Sequence, residues 1–220
     1  MEFNKEKYKI YTWKNWVTLH WILNPGLAII ELFFGYRIPK IILEDKTSEK
    51  PRFESLIVPC PHCETLHDNR TWAKENGTGF KNWFGLYCSN CGKIIPCIIN
   101  LFSFIILALT FPILGWFRKK LKANWLESQP KRYENINVEL TPNPFDKNTW
   151  IKTGLSWGIF MFIAMSIITP YFEGEEITLK SIILGIVIWS IGGIGFGYSM
   201  KKIMNKTMNK TGKNTAANNV

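Results

Sequence analysis

The sequence contains no His-Glu-x-x-His pair, no phosphate-binding glycine loop and no paired nucleophile and base, and it has only 3 histidines in 220 residues. The common hydrolytic and nucleotide-handling chemistries therefore lack the residues that perform them. Charged side chains are missing from Cys97 to Phe117 and from Ser181 to Met200. A proton relay or charged-substrate path through those stretches would have no group to use. Acidic residues are also absent after Met200, where five lysines stand. The polar, basic residues 1–9 are not followed by a short apolar run with a small-residue cleavage site, so no signal peptide is expected.

The charges that are present are segregated. The net charge is +10, yet residues 1–96 nearly balance, with 13 Lys/Arg against 10 Asp/Glu. Residues 118–152 carry 8 against 4, and residues 173–180 carry 1 against 3. The basic excess thus lies at the ends of apolar runs, as membrane flanks require, and no nucleic-acid partner is expected.

Three apolar runs carry the expectation of a mainly α membrane protein whose first partner is a lipid bilayer. Residues 97–117 contain no charge and stop at Arg118-Lys119-Lys120. Residues 151–172 carry Lys152 at one edge, and residues 181–200 stop at Lys201-Lys202. Each meets the roughly 20 residues that a helical crossing needs. Trp116 and Trp150 stand at the boundaries, where interfacial anchors belong. Residues 118–128 continue as a basic helix that Pro130 ends, and residues 131–149 read as an irregular loop. Residues 201–220 read as a disordered basic tail.

Residues 1–36 read as an amphipathic helical hairpin. Thr12 could cap a first helix, with Trp13, Trp16, Val17 and His20 on one face. Asn24 caps the second, Pro25 opens it and Gly35 closes it in a left-handed turn. The hairpin either packs against residues 37–96 or lies in the membrane interface. From Ile38 to Glu44 and from Phe53 to Val58 the composition predicts two strands joined at Ser48-Glu49-Lys50-Pro51.

Four of the five cysteines fall in two close pairs: Cys60-Pro61-His62-Cys63, then Cys88-Ser89-Asn90-Cys91 before Gly92-Lys93. Each pair can turn both sulfurs toward one ion, and four thiolates suit a structural Zn2+ with no open position. The stretches VPCPHCE and LYCSNCGK resemble a zinc ribbon over residues 37–96, which implies a small β module and a metal, with Cys60, Cys63, Cys88 and Cys91 as ligands. The whole chain resembles small bacterial-type integral membrane proteins carrying such a module. His62 and His67 could serve as alternative ligands, but with four thiols present they are expected to be bystanders, and Cys97 a small buried residue. Cys60-Pro61-His62-Cys63 also resembles the active-site motif of thioredoxin-fold disulfide oxidoreductases, which implies a reactive Cys60 at a helix start.

Gly154 and Gly158 stand one turn apart, as do Gly193 and Gly197, with Gly185 further up the last run. Small residues at this spacing let helices approach closely in lipid, either within the chain or between copies. The expected function is a membrane-anchored zinc module that binds a protein partner or assembles with itself; a tethered thiol oxidoreductase and a transporter or channel subunit are the competing classes. Charge places residues 118–150 and the tail on the cytoplasmic side of the plasma (inner) membrane. Three crossings would then put residues 1–96 outside, whereas free thiols favour the reducing cytoplasm. Residues 16–36 could span, or residues 97–117 could re-enter, bent at Pro112, to remove that conflict.

Overall fold

The computed structural model describes residues 2–206; the expected tail beyond residue 206 lies outside the described residues. In order, the first elements are β1 (Tyr8–Tyr11), α1 (Trp16–Leu23), α2 (Pro25–Phe34), β2 (Ile38–Pro39), β3 (Ile42–Asp45), α3 (Arg52–Ser55), β4 (Leu56–Pro59) and β5 (Leu66–Asp68). Then come β6 (Leu86–Tyr87), β7 (Ile94–Ile95), β8 (Cys97–Ile98), α4 (Leu101–Tyr133), α5 (Thr149–Ile163), α6 (Thr169–Glu173) and α7 (Leu179–Met204). Two compact units divide the chain: the first takes it to Lys50 and Glu54–Thr141, the second Pro51–Phe53 and the chain from Pro142.

In the first unit β1, β3, β4 and β5 form an antiparallel sheet in that order, with Ile10 opposite Leu43 and Val58 opposite His67. Leu43 and Val58 are fully buried. Two smaller pairs, β2 with β8 and β6 with β7, complete the β structure. The expected strand from Ile38 breaks into β2 and β3, because Ile38 and Pro39 pair with β8 instead of continuing along the sheet. The expected strand from Phe53 is corrected as well: residues 52–55 make one helical turn, and extended chain begins only at Leu56.

Asn24 and Pro25 act as the sequence implies. The Asn24 side chain accepts from the Gly26 N–H, and Gly35 closes α2 at φ 65°. A Cβ on Gly35 would lie 2.8 Å from the Asn82 nitrogen, so close approach as well as φ requires glycine there. The first cap is Asn15, not Thr12. The Asn15 side chain accepts from the Thr12 N–H at 2.7 Å, which holds Thr12 and Trp13 outside the helix. Both α1 and α2 pack on the start of α4.

Three helical stretches are long and apolar enough to cross a membrane: 101–133, 149–173 and 179–204. The first begins four residues later than the apolar run, because Cys97 and Ile98 pair with β2. It also continues through Pro130 to Tyr133. An internal proline costs a helix about 3 kcal/mol. Trp125, Gln129 and Tyr133, one turn apart on a single face, are all buried, and this burial on both sides of Pro130 opposes that cost. In the second stretch a π-helical turn, Ala164–Ile168, precedes Pro170, and the Thr169 hydroxyl donates to the Ala164 carbonyl at 2.9 Å. The third stretch carries Lys201 and Lys202 inside α7, so the first residues of the expected tail are helical.

Candidate metal centre

The two thiol turns are built alike. The Cys60 N–H donates to the Thr65 carbonyl at 2.9 Å, and the Glu64 N–H to the Cys60 carbonyl at 3.0 Å. The Cys88 N–H donates to the Lys93 carbonyl at 2.9 Å, and the Gly92 N–H to the Cys88 carbonyl at 2.9 Å. Each turn therefore folds back on its first cysteine and needs left-handed backbone four residues later. Gly92 supplies it at φ 70°, and Glu64 is forced into it at φ 60°. Each turn also joins two paired strands, β4 to β5 and β6 to β7, which fixes the direction of its sulfurs.

Cys60, Cys63, Cys88 and Cys91 bring their sulfurs within 4.8 Å of one another. Cys60 Sγ is 3.8 Å from Cys91 Sγ, and Cys63 Sγ is 3.7 Å from Cys88 Sγ. Sulfurs on a tetrahedral zinc with bonds of about 2.3 Å stand about 3.8 Å apart. All four are free thiols. Cys60 and Cys88 are fully buried, among Val58, Trp72, Leu86, Tyr87 and Ile95.

A second layer of polar groups faces the sulfurs. His67 Nε2 lies 3.1 Å from Cys88 Sγ, and the ring meets Trp72 edge-on at 5.6 Å. The Thr65 hydroxyl lies 3.3 Å from Cys63 Sγ, and Asn90 Nδ2 donates to that same hydroxyl at 2.7 Å. The hydrogen bond with Thr65, helped by Asn90, holds the Cys63 thiol down to about 5. Burial pushes Cys88 up to about 12 and raises Cys60 too. Burial also lowers His67, which favours a neutral ring that can donate one N–H to a thiolate. His62, by contrast, is exposed and points at the Ile94 carbonyl, 3.1 Å away. His67, expected from the sequence to be a bystander, instead faces the Cys88 sulfur. Its place opposite buried Val58 in the sheet turns it inward.

Cys60 stands at no helix start: residues 61–63 form a turn, and the chain goes on into β5. A thiol activated by a helix N-terminus is therefore not what this turn builds. Cys97 belongs to β8, outside the cluster, and burial pushes its thiol up to about 12.

The glycines lie in the second unit, where α5 and α7 run side by side. A Cβ on Gly154 would meet Gly197 Cα at 3.0 Å, and one on Gly158 would meet Gly193 Cα at 3.3 Å. Gly185 faces the Ser166 and Phe162 side chains instead of a glycine. Trp157 stacks on Phe196 at 4.5 Å and 15°, closing one side of the contact. Gly195, on the same helix, has nothing within 4 Å of its Cβ position.

Residues 11–107 match the family model described as a domain of unknown function, DUF8250. That match takes in both thiol turns, α1, α2 and the first turns of α4. No curated protein and no solved structure matches the chain.

Proposed function

We propose that this chain is a membrane-anchored structural zinc module, a zinc ribbon whose role is to hold a protein partner or a second copy and not to catalyse a reaction. The observation that carries it is the closed set of four sulfurs at tetrahedral spacing on two equivalent turns. Four thiolates complete the preferred coordination of zinc and leave no position for water or substrate. His67, Thr65 and Asn90 support those sulfurs as outer-shell groups support metal ligands. The module has a small core, and zinc would supply folding free energy on the order of 10 kcal/mol.

The three apolar helical stretches support insertion in a plasma (inner) membrane. The basic residues after Phe117 and after Met200 favour the cytoplasmic side for residues 118–150 and for the tail. Metal analysis of the full chain purified in detergent tests the reading. One zinc per chain, lost in Cys60→Ser and in Cys88→Ser, is expected. A metal-free chain that keeps its ribbon protected from protease overturns it.

A further inference from the structure

The helix α4 is held at both ends by the same folded unit. At its start, Asn100 is fully buried and caps the helix by accepting from the Phe102 N–H at 2.9 Å. Its Nδ2 donates to the Asn24 carbonyl at 2.8 Å and to the Trp21 carbonyl at 2.5 Å. Its N–H donates to the Glu31 carboxylate at 2.8 Å, and Glu31 is itself buried and paired with Arg37. At the far end, Trp125 Nε1 donates to the Lys81 carbonyl at 2.6 Å, and the Tyr133 ring packs on Tyr87 at 5.2 Å. The Lys81 N–H in turn donates to the Phe34 carbonyl at the end of α2, at 2.7 Å, and the Asn82 N–H to the carbonyl of the capping Gly35, at 2.8 Å.

Each route from the ribbon to Asn100 is short. The 10 residues of α2 reach about 15 Å and the 8 residues of α1 about 12 Å. From Ile98, still paired in β8, to Asn100 is at most about 7 Å. The hydrocarbon core of a bilayer is about 30 Å thick. With the ribbon in water on one side, Asn100 cannot reach the other. Forcing it there would draw the β2–β8 pair, with its open edges, into hydrocarbon, where unpaired backbone is not tolerated.

The outward face is nevertheless built for lipid. On α4, Leu109, Ile113 and Trp116 are 76%, 72% and 86% exposed. On α1 and α2, Trp16 and Phe33 are 80% and 75% exposed, while Glu31 is at 0%. Trp16 and Phe33 thus face outward while the one carboxylate of α1 and α2 faces inward, the reverse of a surface helix packed for water. The donors of Asn100 are all paired, as a helix start below the headgroups requires.

We propose that α4 does not cross the membrane. It enters and leaves on the ribbon's side, and α1, α2 and α4 together form one half-inserted surface whose partner is a single bilayer leaflet. This rests on the membrane reading above and is independent of the metal. Glu49→Cys and Glu127→Cys, both exposed positions, are each placed in the full chain, with the unaltered chain as blank, and labelled with a membrane-impermeant thiol reagent before and after cell permeabilisation. The two positions are expected to respond alike, both labelled before or both only after. One labelled before and the other only after overturns the proposal. A photoreactive side chain at Leu109 is expected to give a lipid adduct; an adduct at the mass of two chains overturns the lipid partner. Zinc content of the same samples separates the two readings. Same-side labelling without zinc sinks the metal alone, and opposite-side labelling with zinc sinks the half-inserted helix alone.

Discussion

The ribbon and the α5–α7 pair solve opposite problems. The ribbon is made of strands two to four residues long, held by turns, polar side chains and four sulfurs. The α5–α7 pair has long helices whose backbone bonds are satisfied within each helix, and it relies on the absence of side chains at Gly154, Gly158, Gly193 and Gly197. In water a small module lacks apolar area, so a cross-link must supply what burial cannot. In lipid, burial from water is already complete, so helices gain only by approaching closely enough for backbone atoms to touch.

That contrast breaks most visibly at the metal. Chelation, or Cys88→Ser, should unfold the ribbon, a loss on the order of 10 kcal/mol, and leave α5 and α7 packed. Hydrogen exchange measured segment by segment checks this: exchange should become fast over residues 56–95 and stay slow over residues 151–163 and 181–200. Comparable loss in both regions would mean that the two are not separable as described.

The reverse experiment touches only the helices. Gly193→Leu should cost the α5–α7 contact about 1–3 kcal/mol or more by overpacking against Gly154 and Gly158. Gly195→Leu should cost little, since its Cβ position is open. Neither should change zinc content. Thermal unfolding in detergent, followed for both variants, reads the difference.

Acidity should act on the ribbon alone. Burial raises Cys60 and Cys88, so without metal both stay protonated at neutral pH, whereas Cys63, held near 5, is already a thiolate. Metal binds the deprotonated forms, so loading at neutral pH releases the protons of the two raised thiols, and a fall in pH opposes loading. Below pH 5 Cys63 also takes a proton, and affinity should drop more steeply. Proton release on zinc addition, followed in weak buffer, checks the sign. Release that vanishes at neutral pH would contradict the raised thiols.

The smallest effects separate the two turns. Gly92→Ala places a side chain at φ 70° and should cost about 1 kcal/mol, although its Cβ would meet only the Tyr87 hydroxyl, at an ordinary 3.7 Å. Glu64→Gly relieves the same conformation in the first turn and should stabilise by about 1 kcal/mol or less, because glycine also frees the unfolded chain. Chelator competition on both variants ranks them.

Much of this was legible in the chain itself. The spacing of Cys60, Cys63, Cys88 and Cys91 is a local fact, and two turns of that spacing fold alike wherever they stand. The apolar runs, the cap at Asn24, the opening at Pro25 and the close at Gly35 are local too, because each depends on side chains within a turn of one another. What the sequence left open depended on distant partners. Tyr8–Tyr11 becomes a strand only because β3 offers an edge. Cys97 and Ile98 leave the apolar run because β2 pairs with them. Pro130 does not stop α4, because Trp125 and Tyr133 are anchored on residues 81–87. His67 reaches Cys88 through sheet register, and Asn100 reaches α1 and α2 through a fold that returns the chain to its own start. Local propensities amount to fractions of a kcal/mol per residue, or about 3 kcal/mol for a proline inside a helix, and tertiary burial overrides them here. Periodicity and spacing therefore determined the elements and the thiol turns, while the tertiary fold decided where those elements end, which polar groups face the sulfurs, and that both ends of α4 belong to one folded unit.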